Sequence, residues 1–199
     1  MIQFDCNRRK PIFSGMRMLT ALLSLAFLSA CASADFYRNP NMDFGSIQTV
    51  AVMPLMNIAK DLQANDRVRD VFITSLLATG SMYVLPPGEV ARGASSAGMV
   101  NPASPTSDEV VKLCKILKVD AVITGTVKEY GETRSGSSSA NLISMSMQMS
   151  EGQTGKVVWS ATSTQGGITF SDRLLGGGGE AMNVVTEKAV NDILNKLFK

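Results

Sequence analysis

Met145, Met147 and Met149 stand at alternate positions with Ser146 and Gln148 between them, and thioethers are soft ligands of the kind that suit Cu(I). Alternate residues of one strand lie about 6.6 Å apart, too far for three sulfurs to converge on one ion. The spacing therefore predicts an apolar face for packing or for a partner, and no metal site. The four glycines Gly176 to Gly179 precede a helical pattern, where a phosphate cradle could form. They lack both the Gly-Lys-Ser/Thr ending and the spaced Gly-x-Gly-x-x-Gly of nucleotide loops, so a hinge or loop tip is expected and no cofactor. Histidine is absent. Every serine and cysteine thus lacks the commonest general base. Cys114 falls on the apolar side of a helical pattern and reads as a small core residue. No catalytic residue is assigned, and the chain is not expected to be an enzyme.

Cys31 is the exception. Arg8, Arg9, Lys10 and Arg17 precede an apolar run of eleven residues, Met18 to Leu28, followed by Ser29, Ala30 and Cys31. That order is a secretory signal, and the run falls well short of the roughly 20 residues that span a bilayer as a helix. Leu28-Ser29-Ala30-Cys31 resembles a bacterial lipobox, which implies diacylglycerol on the Cys31 sulfur and cleavage just before it. Three acyl chains, at roughly 0.8 kcal/mol per buried CH₂, make a permanent anchor. Met16 to Cys31 is a complete signal by itself, so Met16 is an alternative start. Ala32 stands where an Asp would hold enteric-type lipoproteins at the inner membrane, so the outer membrane, facing the periplasm, is expected.

Removing residues 1–30 takes away those four cations and Asp5, which leaves 15 basic and 16 acidic residues and a net charge of −1. Such a chain offers no electrostatic footprint for nucleic acid. Cys6 lies in the signal and Cys31 carries lipid, so Cys114 remains alone and no internal disulfide is available.

The elements that position these groups follow from periodicity. Residues 31–45, with Pro40 between asparagines, read as a tether behind the lipid. A buried strand over Thr49–Met53 ends at Pro54. An amphipathic helix over 65–79 places Val68, Val71, Phe72 and Leu76 on one face and stops at Gly80. A strand over Met82–Leu85 ends in Pro86-Pro87-Gly88, and residues 88–106 hold at most a short helix around Glu89–Arg92. Thr106 and Glu109 form a capping box for a helix carrying Val110, Leu113, Cys114 and Leu117 on its inner face. Ala121–Arg134, Leu142–Met149 and Lys156–Thr162 predict an antiparallel meander. A final helix, Glu180–Phe198, buries Met182, Val185, Ala189, Ile193 and Leu197. The expected fold is α/β, a mixed sheet of about five strands with three main helices packed on it, in one domain over 46–199.

The lipobox, the Val50-Ala51-Val52-Met53-Pro54 strand, the run Leu117 to Val127 and the hairpin Thr154-Gly155-Lys156-Val157-Val158-Trp159-Ser160 together resemble the CsgG, LpoB and TolB N-terminal-domain group of envelope proteins. The likeness covers roughly residues 46–198. It implies a partner-binding role: an accessory or assembly factor that docks on another envelope protein and is able to self-associate. The alternative is a subunit of a CsgG-like outer-membrane secretion channel. In that family each subunit adds two hairpins to a shared barrel, and a hairpin needs about 20 membrane-competent residues. Glu132–Asn141 is almost wholly polar, and Gln165–Gly179 has only four apolar side chains. The docking domain is the favoured expectation.

Overall fold

The computed structural model describes residues 36–136, 138–168 and 179–199. Among these the chain runs β1 (Phe36–Arg38), β2 (Thr49–Val52), β3 (Met56–Asn57), α1 (Ala64–Ala78), β4 (Tyr83–Val84), α2 (Pro87–Ala97), α3 (Ser107–Leu117), β5 (Ala121–Ser135), β6 (Ser138–Glu151), β7 (Val157–Gly166) and α4 (Met182–Leu197). The strands form one mixed sheet in the order β1-β7-β6-β5-β2-β4, with β3 also on β5. Strand β2 runs parallel to β4 and β5. The meander β5-β6-β7 is antiparallel, as alternation predicts.

The α/β class holds, but the described residues form a sheet of seven strands where about five were expected, and four α-helices where three main ones were expected. Pro54 interrupts the first apolar run because it has no N–H for the ladder. Pairing then resumes: Val52 lies opposite Ile123, and beyond the interruption Met56 lies opposite Thr126. The other extra strand, β1, lies inside the segment expected to be a tether, and a 3-10 turn follows at Phe44–Ser46. Its three residues carry no readable period; tertiary contacts hold them. Phe36 pairs with Ala161, and Arg38 Nη1 donates to Leu197 O at 2.5 Å.

Helix α2 exceeds the short helix expected at 89–92. Pro87 opens it and Gly98, at φ 72°, closes it. Its buried face is Val90, Gly93, Ala94 and Ala97, residues too small to register as an apolar stripe. Small size is what the packing needs, because a Cβ on Gly93 would stand 2.5 Å from Leu117 Cδ2.

Two apolar clusters sandwich the sheet. On one side α1 and α4 bring Phe72, Leu76, Val185, Ala189 and Ile193 onto Val50, Val52, Ile123, Met145, Met147 and Trp159. On the other, α2 and α3 bring Val90, Ala94, Leu113 and Cys114 onto Ala51, Met53 and Val122. The last carbonyls of a helix have no partner within it. Strands supply partners for α4: Trp159 Nε1 donates to Lys196 O at 3.2 Å, and Arg38 takes Leu197 O. Lys196 Nζ in turn donates to Thr162 O at 2.8 Å. Asp120, just before β5, binds β2 through Oδ2, which accepts from Gln48 N, Thr49 N and Thr49 Oγ1 at 2.8–2.9 Å.

Candidate docking face

Each chemistry-bearing residue of the sequence has a definite place, or lies outside the described residues. Leu28, Ser29, Ala30 and Cys31 lie outside them, as do Gly176, Gly177 and Gly178. Met145, Met147 and Met149 are fully buried in the larger apolar cluster, so this face is core and not a binding surface. Cys114 is a free, buried thiol on α3. Burial, reinforced by the nearby Asp120 charge, pushes its pKa up to about 12, which keeps it protonated and unreactive. No set of three His, Cys, Asp or Glu residues among those described could hold a metal ion.

The Met residues fix what their neighbours do. Because strand side chains alternate, burying Met145, Met147 and Met149 turns Ser144, Ser146 and Gln148 to the other face of the sheet. Thr124 and Thr126 of β5 and Ser160, Thr162 and Thr164 of β7 share that face. Three cross-strand rows result. Thr124, Gln148, Ser160 and Tyr37 form one; Thr126, Ser146 and Thr162 form the second; Ser144 and Thr164 form the third. In the third row Thr164 Oγ1 donates to Ser144 Oγ at 3.0 Å.

None of these side chains is buried, and none belongs to either apolar cluster. Helices α2 and α3 cover the β2 side of this face, reaching Val122 on β5 and the Ser150 end of β6, where a Cβ on Gly152 would stand 2.9 Å from Cys114. Among the described residues, this part of β5, β6 and β7 is thus a partly exposed face made mostly of short hydroxyl side chains. The alternation that identified the methionines contained this face as well, in the serines between them. Sequence reasoning missed it because an uncovered polar face carries no apolar period.

A second exposed group surrounds the β1 edge. Phe36, Tyr37 and Phe198 are three of the four exposed aromatic side chains among the described residues, the fourth being Tyr83 on the opposite edge strand β4. Lys199 Nζ lies 5.9 Å from the Phe36 ring centre, and Arg38 lies 3.8 Å over the ring of Phe44. No helix among the described residues is long and apolar enough to cross a membrane.

Lipoprotein NMB1124/NMB1162 of Neisseria meningitidis serogroup B is 26% identical over 187 residues, covering 90% of this chain and 83% of that protein. The crystal structure of lipoprotein GNA1162 from Neisseria meningitidis superposes with a TM-score of 0.53 at 24% identity, over 74% of this chain and 99% of that one. The PelC dodecamer from Paraburkholderia phytofirmans gives a TM-score of 0.53 at 15% identity, over 81% and 94%. These two likenesses establish the shared fold. Residues 43–198, nearly the whole described domain, match the GNA1162-like description, and the chain belongs to the GNA1162-like family of lipoproteins.

Proposed function

We propose that this lipoprotein is a non-enzymatic accessory or assembly factor, held at the outer membrane by lipid on Cys31 and docking on another envelope protein in the periplasm. The observation that carries the docking half is the uncovered hydroxyl platform of β5, β6 and β7. A sheet with helices on both sides normally has both faces covered. Among the described residues no helix covers most of one face of the longest strands, and its side chains hydrogen-bond readily and lose little conformational freedom when covered. The resemblance to the CsgG, LpoB and TolB group supports partner binding as the use of this core. Self-association belongs to the same reading, since PelC, which shares the fold, is a dodecamer. A channel is disfavoured because the outer part of the β5–β6 hairpin carries Lys128, Glu129, Glu132 and Arg134, whereas lipid demands an apolar outward face.

The anchor is tested by fractionation and fatty-acid incorporation. Cys31→Ala is expected to abolish labelling and to leave an unprocessed or released chain; unchanged labelling and size would remove the anchor from the reading. Docking is tested in the same cells by crosslinking and pull-down with Thr126→Arg and Ser146→Arg combined. Loss of a partner that wild type retains, with the circular dichroism spectrum preserved, is the expected result. An unchanged catch, or a soluble form lacking residues 1–31 that turns over a substrate, would overturn it.

A further inference from the structure

We infer that the β1 edge and the end of α4 form a lipid-contacting surface, so that the domain rests on the bilayer instead of floating above it. The inference builds on lipidation at Cys31. From Cys31 to Phe36 is five residues, which reach at most about 18 Å when fully extended. The acylated sulfur sits at headgroup level, so β1 must lie within that distance of it. The expected tether of residues 31–45 is cut short at its near end, because Phe36–Arg38 is hydrogen-bonded to β7. Arg38 then ties β1 to the last turn of α4 through Leu197 O, which brings the end of that helix to the same place.

The surface presented there has the composition of an interface with lipid. Phe36 is 36% exposed, Tyr37 49% and Phe198 42%, and these are three of the four exposed aromatic side chains described. Exposed aromatics otherwise cost hydration free energy, whereas at headgroup depth their apolar rings and, for Tyr37, a polar tip are both accommodated. Lys199, adjoining Phe36, supplies a cation to anionic headgroups. The opposite edge, with Tyr83 alone, lacks this combination. A lipid surface is therefore the occupant that the short linker and the aromatic-basic pairing both specify.

The test uses the acylated chain purified from membranes, with the acyl mass on Cys31 read by mass spectrometry, in vesicles of phosphatidylethanolamine and phosphatidylglycerol. Nitroxide labels are placed through Tyr37→Cys, Phe198→Cys and, as control, Val100→Cys, which lies in the loop between α2 and α3 and is 96% exposed in its native form. Cys114 is buried and Cys31 is consumed by lipid, so each variant takes one label. Labels at 37 and 198 are expected to lose accessibility to a nickel chelate and gain it to oxygen, while that at 100 stays open to the chelate. Radical footprinting of the unsubstituted protein should show Tyr37 protected by vesicles and Tyr83 not. Equal chelate access at all three positions in a protein with intact acyl mass would overturn the inference and leave the anchor standing. Absence of acyl mass would overturn both.

Discussion

Asp120 and Cys114 show how single side chains in this domain couple packing to pH. Burial acts to raise the Asp120 pKa, but the donors it gathers from Thr49 and Gln48 outweigh this and hold it below the usual carboxylate range. A depressed carboxylate contributes stability that is present above the ordinary value and is lost as pH falls through the folded one. Asp120→Asn should therefore destabilise the domain at neutral pH, by no more than about 0.5 kcal/mol because the exposed carboxylate is screened by solvent, and the cost should shrink below about pH 4, as read from denaturant midpoints. Cys114 works in the opposite direction. Its folded pKa of about 12 lies above that of an unfolded thiol, so the native state holds the proton longer and stability declines as pH rises towards 12. Cys114→Ala should flatten that alkaline decline, and in the parent chain iodoacetamide should modify Cys114 only after unfolding, as followed by mass spectrometry. The core position of Cys114 was legible in the sequence from helical spacing alone. The role of Asp120 was not, because its partners lie some 70 residues away and no local pattern records them.

At the level of elements, legibility followed the strength of the local period. The alternating strands, the capping box of α3 and the apolar stripe of α4 were all readable, and the structure shows Thr106 and Glu109 exchanging both bonds of the box. Helix α2 and strands β1 and β3 were not. Each is fixed by a close approach or a pairing partner that a linear reading does not contain. Close approach also governs β5, where Gly125 faces Met147 across the hairpin. A Cβ there would stand 2.3 Å from Met147 Sδ and 2.7 Å from Ser146 O, and a backbone oxygen cannot step aside. Gly125→Ala is expected to destabilise the domain by about 1–3 kcal/mol through overpacking. Equilibrium urea unfolding checks this, and in a double-mutant cycle the cost of Gly125→Ala should be smaller in a Met147→Ala background than in the parent chain, because the sulfur contact is relieved while the backbone contact remains.

For the whole molecule, the order β1-β7-β6-β5-β2-β4 sets an orientation once one edge is assigned to the membrane. Five interstrand spacings of about 4.8 Å place β4 some 24 Å above β1. The sheet then stands on its side, and the hydroxyl platform faces sideways along the bilayer, open to a neighbour anchored in the same leaflet. The same topology also imposes a schedule. Strand β1 is the first described element of the chain, yet its partner is β7, with Phe36 opposite Ala161, and it also clasps the far end of α4. Pairings so distant along the chain form late, since the closure entropy of the intervening loop must be met first. A chain made from its N-terminus therefore keeps residues 36–38 unpaired until more than 120 further residues have followed and β7 is available.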